Sequence, residues 1–328
     1  MREVIIKGHD KTLHFNFTSQ TAPPMISRYK YKKITWIDLE SPTQEEVRAL
    51  MQEFNIHPLV ADELRSPTLR PKVDLYDNLI YLILHFPAFQ HTHAHNPEQE
   101  VDFIIGKDFL ITTHYTMIDS LHEFSKVFEV NSIIDKSHIG NHAGFVFFYI
   151  AKELYKSLAQ ELEYVNASLQ KVEEDIFKGK ERAMVEKISK INRNLLNFKQ
   201  SIRLHQDVLS SLEIAGARFF GEKFSYYLSA ISGEYYKIAS HLEGNRETVL
   251  ELRNTNDSLL STKQNEVMKI LTIMAFVTFP LSLIAAIFGM NTNYIPIVGT
   301  PGDFWIVMGI MGFATFLMFL YFKRKGWI

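Results

Sequence analysis

Apolar positions along the chain change their spacing twice, and each spacing predicts a different kind of element. Over residues 1–140 short apolar runs alternate with turn signals, at residues 4–6, 34–38, 79–84, 101–105 and 109–113. Runs of that length and composition predict strands. Gly106-Lys107-Asp108 predicts a hairpin turn between the last two. Ser41-Pro42-Thr43-Gln44 predicts a helix start, with Ser41 as cap, Pro42 in the first turn and Gln44 reaching back. Residues 1–140 therefore read as an α/β domain.

From Phe148 the spacing becomes helical. Phe148, Ala151, Tyr155, Leu158, Leu162, Val165, Leu169, Val172 and Ile176 step by three and four, Lys178-Gly179-Lys180 breaks the pattern, and Met184, Ile188, Ile191, Leu195, Phe198, Ile202, His205, Leu209 and Leu212 resume it. Such a seam predicts an antiparallel coiled-coil hairpin over residues 141–221. Its carboxylates Glu161, Glu163, Glu173, Glu174 and Asp175 read as a solvated outer face rather than a metal cluster. His205, on the seam, reads as a core histidine with a partner. Residues 222–269 read as a stalk helix that begins after Gly216 and Gly221. From Ser232 to Phe288 only Gly233 and Gly244 interrupt it, a length of about 80 Å. Its seam of Ile238, Leu242, Val249, Leu252 and Leu259 includes Asn245 and Asn256, which either fix register or face water.

The third regime is uninterrupted apolarity. The next charged residue after Lys269 is Asp303, and the next after that is Lys323. Residues 270–290 and 304–322 are thus uncharged, and a spanning helix needs about 20 apolar residues. They predict two transmembrane helices rather than two buried core helices. The linker 291–303 holds Pro296, Gly299, Pro301 and Gly302 and no Lys or Arg, whereas Lys263 and Lys269 precede the first span and the basic tail 323–328 follows the second. The positive-inside rule then puts the soluble body and both termini in the cytoplasm of a multi-pass protein of the cell (inner or plasma) membrane. Trp305 and Trp327 stand near opposite ends of the second span, as interfacial aromatics do. The first ten residues are polar and charged, with no signal-peptide core expected there. The fold class is an α+β membrane protein.

Composition removes several functions. With 35 basic and 37 acidic residues the net charge is −2, so no basic field is available for nucleic acid. The absence of cysteine removes disulfides, thiolate metal sites and cysteine nucleophiles. No phosphate-binding loop, nucleophile elbow or metalloprotease helix occurs, so no nucleotide partner, resident cofactor or enzymatic activity is expected.

One face of the first span stands out. Asn265, Met268, Leu271 or Thr272, Ala275, Phe279, Ser282 and Ala286 follow it at helical spacing, and the span ends in Gly289-Met290-Asn291. Such a stripe lines a pore if several copies ring an axis, since hydrophobic rings gate by dewetting and polar oxygens meet a hydrated cation. Otherwise it faces lipid or packs against a helix. Periodicity leaves these open.

The residues themselves carry more. The stretch Asn265-Glu266-Val267-Met268-Lys269-Ile270-Leu271-Thr272, the step Pro280-Leu281-Ser282, the closing Phe288-Gly289-Met290-Asn291 and the tail Lys323-Arg324-Lys325-Gly326-Trp327-Ile328 resemble the CorA family of divalent metal-ion transporters. Upstream, Trp36-Ile37-Asp38-Leu39, Ile56-His57-Pro58-Leu59, Arg70-Pro71-Lys72 and Tyr76-Asp77-Asn78 resemble that family's cytoplasmic domain. The resemblance covers nearly the whole chain. It implies a homopentameric funnel in which copies of the first span ring the pore and the second spans surround them. It implies an Asn291 ring that accepts hydrogen bonds from the first-shell waters of Mg2+, an ion that dehydrates reluctantly. Ser282 matches a position where the family often has a hydroxyl, and Phe279, Leu271 and Met268 would be constrictions. The implied activity is potential-driven uptake of Mg2+, with Co2+ or Ni2+ as further cargo, closing when cytoplasmic metal is high. The implied partners are further copies of the chain, the lipid bilayer and the cation.

Two departures bear on the ion. Many magnesium-type members carry a Met-Pro-Glu-Leu-like loop after Gly-Met-Asn; here it reads Ile295-Pro296-Ile297-Val298, and Asp303 is the loop's only acid. The ZntB type, linked to Zn2+, also lacks that Glu, so a ZntB-like Zn2+ transporter, with or without proton coupling, is the alternative. Some members hold regulatory metal on two Asp residues; the corresponding positions here are Gln90 and Ala230. His91, His93 and His95 alternate beside the first of these. They form either one face of a metal-binding strand or a solvated loop. The other rival is a non-conducting membrane scaffold.

Overall fold

The computed structural model of the chain describes residues 25–87, 98–134, 140–291, 295, 297–299 and 301–327. The strand expected at residues 4–6, and Gln90, His91, His93 and His95, lie outside the described residues. Two compact units are formed. One comprises Met1–Ala167 with Ile191–Arg246, the other Ser168–Lys190 with Glu247–Ile328.

The first unit is built on a sheet. Among the described residues it has six strands: β1 (Met25–Tyr31), β2 (Ile34–Glu40), β3 (Lys72–Leu75), β4 (Ile80–Pro87), β5 (Glu98–Ile105) and β6 (Phe109–His114). Their spatial order is β1-β2-β6-β5-β4-β3. β2 runs parallel to β6, and every other pair is antiparallel. Gly106 closes the β5–β6 hairpin, its N–H donating to the Phe109 carbonyl at 2.8 Å. Both faces of the sheet are covered. Helices α1 (Gln44–Phe54) and α2 (Pro58–Glu63) bury Val47, Leu50, Val60 and Ala61 against Ile37, Leu39, Tyr81, Ile83, Ile104 and Ile111. On the other face Phe124 and Phe128 of α3 (Asp119–Ile134) meet Trp36, and Phe147 of α4 (Gly144–Phe177) meets Phe103. Double burial explains why β4 reads as a continuous apolar run. β1 and β3, at the two edges, mix polar with apolar residues and are partly exposed, so neither forms an apolar run like β4.

The start of α1 differs from the sequence expectation. Thr43, not Ser41, is the cap: Thr43 Oγ1 accepts the Glu46 N–H at 3.3 Å, and Glu46 Oε2 accepts the Thr43 N–H at 2.8 Å. Ser41 leaves β2 at φ 51°, and its hydroxyl donates instead to the Tyr115 carbonyl at 3.0 Å. The reciprocal bond needs Glu or Gln three residues after the cap; with Thr43 as cap that residue is Glu46, and Gln44 is the first helical residue.

The helical part follows the seam with one break more than expected. α4 ends at Phe177, Gly179 turns at φ 85°, and α5 (Glu181–Ile202) returns. The second arm is not one helix. α6 (His205–Phe220) starts after a tightened turn in which the Arg203 N–H reaches the Gln200 carbonyl. Leu204 keeps a right-handed conformation there (φ −91°, ψ −3°), so Ile202, His205, Leu209 and Leu212 all stay buried and the periodicity hides the break. His205 is fully buried. Its Nδ1 accepts the Tyr155 hydroxyl at 2.7 Å and its Nε2 donates to the His85 carbonyl at 2.8 Å. Burial pushes its pKa down to about 4, so the ring stays neutral.

Gly216 lies inside α6 rather than ending it. A Cβ there would fall 2.2 Å from Leu228 Cδ1, so its role is close packing. The chain turns only at Gly221 (φ 97°) and enters α7 (Glu222–Phe288), 67 residues that pass Gly233 and Gly244 without interruption, about 100 Å long. Asn245 is buried and donates to the Leu162 carbonyl at 3.0 Å. Asn256 is also buried, with its Oδ1 unpartnered. Neither seam asparagine faces water.

Candidate functional site

The second unit contains both apolar helices, the end of α7 and α8 (Asp303–Arg324), each long and apolar enough to cross a membrane. Their shared face is visible in the burial. Ile273, Val277, Leu281, Ile284 and Phe288 of α7 are half-buried, as are Val307, Met311, Ala314, Thr315 and Met318 of α8, with Phe322 buried. Phe276 meets Phe322, and Lys269 Nζ donates to the Gly326 carbonyl at 3.4 Å, holding the tail beside the start of the first span. Trp327 stacks on Phe322 at 5.8 Å.

The stripe singled out in the sequence lies on the opposite side of α7. Asn265, Met268, Leu271, Phe279, Ser282 and Ala286 are exposed; Thr272 and Ala275 are half-buried at its margin. Residues two apart on a helix point about 200° away from each other, so Phe279 is turned outward while Val277 packs on α8. Packing against α8 is therefore not what the stripe does within one copy. Thr272 returns its hydroxyl to the Met268 carbonyl at 2.8 Å, whereas Ser282 stands exposed on the stripe. Pro280 sits inside the helix and leaves the Phe276 carbonyl without its usual donor.

The stripe ends at the Gly-Met-Asn step. The Gly289 N–H still donates to the Ala285 carbonyl at 2.9 Å, and the Met290 N–H tightens onto the Ile287 carbonyl at 3.3 Å. Gly289 keeps a negative φ, and a Cβ there would make a tight approach of 3.1 Å to the Ala285 oxygen. Asn291 follows directly, exposed beyond the last turn.

Two further contacts were not legible as site chemistry. Asp303 organises the linker: Oδ2 accepts the Gly299 N–H at 3.1 Å and Oδ1 the Phe304 N–H at 2.7 Å. An acid at a helix N-terminus suits the dipole, so the loop's one carboxylate is turned to its own backbone. Lys263, noted only as a flanking charge, binds Glu181 Oε2 at 2.6 Å and approaches the Gly179 carbonyl at 3.4 Å. This ties the hairpin tip to α7 just before the span and holds the Glu181 pKa below the usual carboxylate value. Asp175 pairs with Lys180 and Lys187, and Glu174 with Lys178. Among the described residues no three His, Asp or Glu side chains gather to hold a metal ion. Ala230 is exposed on α7 and offers no ligand.

Comparison with known proteins points one way. The family model described as CorA-like Mg2+ transporter protein matches residues 31–324. The cobalt/magnesium transport protein CorA of Thermotoga maritima is 27% identical over 296 residues, covering 90% of this chain and 83% of the relative. Among solved structures, the complete CorA magnesium transporter from Methanocaldococcus jannaschii aligns with a TM-score of 0.79 at 22% identity, over 92% of this chain and 93% of that one. The cytoplasmic domain of ZntB from Vibrio parahaemolyticus aligns with a TM-score of 0.50 at 14% identity, over 71% of this chain and 88% of that one.

Proposed function

The chain belongs to the CorA-like Mg2+ transporter family, and from that premise we propose that it conducts Mg2+ into the cell through a pore ringed by copies of α7. The observation that carries the reading is the exposed stripe from Asn265 to Ala286, turned away from α8 and ending at Asn291. In a homopentamer this stripe lines the axis. The Asn291 carboxamides then form a polar ring at the outer mouth and accept hydrogen bonds from water already bound to the cation. An ion selected with its shell intact avoids the cost of stripping it. Met268, Leu271 and Phe279 make apolar constrictions that dewet and close. The membrane potential supplies the drive, about 4.6 kcal/mol for a divalent ion crossing 100 mV. The charge pattern supports cytoplasmic termini, and Co2+ and Ni2+ are further cargo.

The reading is tested by metal-resolved flux into vesicles holding the full-length chain. Mg2+ uptake should follow an inside-negative potential, and Asn291→Ala should abolish selectivity for Mg2+. Unchanged selective uptake in that variant would remove the ring from the mechanism. Ile297 at the position of the family's loop Glu favours a second reading, a ZntB-like Zn2+ transporter. Zn2+ uptake driven by a pH gradient, with no Mg2+ uptake, would establish it. A non-conducting scaffold predicts no flux of either ion.

A further inference from the structure

A second cluster of ionisable groups lies far in sequence from the spans, in the sheet of the first unit. Asp102 occupies the middle of β5, paired with Ile83 of β4 and Thr113 of β6. Alternation at Val101-Asp102-Phe103 would ordinarily place it in water. The sheet is covered on both faces, however, and Asp102 is 0% exposed. Neither of its carboxyl oxygens has a hydrogen-bond partner.

Its surroundings are polar. Glu100, on the same face of β5 and also buried, uses Oε2 for three contacts: the Thr68 N–H at 2.6 Å, the Thr68 hydroxyl at 3.2 Å and His85 Nε2 at 2.9 Å. Its Oε1 is left unpartnered beside Asp102. From α2 comes Glu63, and from β3 come Lys72 and Asp74. Lys72 is held by both of these carboxylates at 2.8 Å and is not turned to Asp102. From β4 comes Tyr81, from β6 Thr113, and just past β6 Tyr115. All three hydroxyls are buried and unpartnered. A buried carboxylate whose only nearby donors are hydroxyls is far costlier than a neutral acid, and two side by side resist ionising together. Among the described residues no three His, Asp or Glu side chains are gathered so as to hold a metal ion, here or elsewhere.

We propose that Asp102 and Glu100 form a binding site for one proton, with the Asp102 O–H donating to Glu100 Oε1, and that its occupancy makes uptake depend on cytoplasmic pH. Burial and the adjacent Glu100 push the Asp102 pKa well above the usual carboxyl value. The site connects to the transport helix through named bonds. Glu100 holds the His85 ring, the His85 carbonyl accepts the His205 N–H, and His205 opens α6, which passes through Gly221 into α7. A proton lost from the pair leaves two adjacent anions between β4 and β6 and loosens the strand on which α6 docks. The sign follows from linkage: a folded-state pKa raised above the unfolded value gives stability that is full at acid pH and is lost as pH rises through the folded value.

Infrared spectroscopy of the full-length protein in detergent tests the proton directly. The wild type should show a protonated-carboxyl band at neutral pH that Asp102→Asn removes; a band unchanged in that variant would overturn the proposal. Should the variant fail to fold, titration of the band in wild type with and without Glu100→Gln decides the same point, because a shared proton must shift in that background. Flux arms test the consequence. Wild-type uptake should fall by about half or more as the inner pH rises through the band's titration, whereas Asp102→Asn should keep its uptake; parallel pH dependence in the two would refute the regulatory role. Equilibrium dialysis with Mn2+ guards against a cation in the same place, since one ion fewer per chain in Asp102→Asn would replace the proton with a metal. The flux arms rest on the transport reading and the infrared arm does not, so the two failures are distinguishable.

Discussion

Replacing His205 with alanine measures how firmly one imidazole joins the sheet to the helices. The ring is 0% exposed and fills the space between Phe86, at 5.3 Å between centroids, and Tyr155, at 5.8 Å. Its removal leaves the Tyr155 hydroxyl and the His85 carbonyl buried without their partners, at about 1–3 kcal/mol each. The vacated space would cost about 2–5 kcal/mol if it stayed dry and apolar. Here it is lined by a hydroxyl and a carbonyl, so water enters and recovers part of both losses. The expected destabilisation is about 3–5 kcal/mol, or on the order of 10 °C in Tm for a domain of this size. Thermal unfolding of the full-length protein in detergent, followed by near-ultraviolet circular dichroism at one fixed scan rate, is the assay. A variant melting within about 2 °C of wild type would refute the reasoning. The same ring sets an acid limb. Its folded pKa lies near 4 because of burial, below the unfolded value, so the unfolded chain takes up the proton first and stability falls as pH drops from about 6.5 towards 4. The loss totals about 3 kcal/mol, and it should be missing from His205→Phe, which fills the space without a titrating group.

Two further substitutions probe the helices. Gly216→Val puts a branched side chain where Leu228 already lies 2.2 Å from the Cβ position; overpacking of this kind costs about 1–3 kcal/mol, so the variant should melt earlier, whereas Gly233→Val, in open space, should melt with wild type apart from the helix propensity change. Lys263→Ala removes the ion pair with Glu181, and trypsin should then cut faster after Lys178 and Lys180 at the hairpin tip. Unaltered cleavage rates would mean that the tip is held by its seam alone.

The elements the sequence revealed best are those with a single dominant periodicity. The α4–α5 seam is set by where apolar side chains must go, and burial follows its positions almost residue by residue; the two spans were marked instead by uninterrupted apolarity, and most of their side chains stay exposed in a single copy. The misses share a physical cause. β1 and β3 are edge strands that turn one side to water, so their apolar residues are too few and too interspersed with polar ones to stand out. The α5–α6 break leaves the seam in register, and a seam is all that periodicity reads. The cap of α1 went to Thr43 because a backbone turn at Ser41 redirected the obvious candidate. At the candidate site the stripe was readable from spacing, but Asp303 and the Lys263–Glu181 pair were not, since each joins residues through a turn that only the folded backbone supplies. Asp102 read as an ordinary polar position in a strand because sequence does not say that both faces of a sheet are covered.

The seating of the buried histidines has a consequence for a protein that handles divalent metals. His205 commits one nitrogen to a hydroxyl and the other to a carbonyl; His114 gives Nδ1 to the Thr116 carbonyl at 2.7 Å and Nε2 to Asp38 at 3.4 Å; His85 gives Nε2 to Glu100. A transition ion needs an imidazole lone pair, and to take one at these bonded nitrogens it must first break a bond that holds the interior together. Metal capture at these nitrogens is thereby opposed by the folding energy itself.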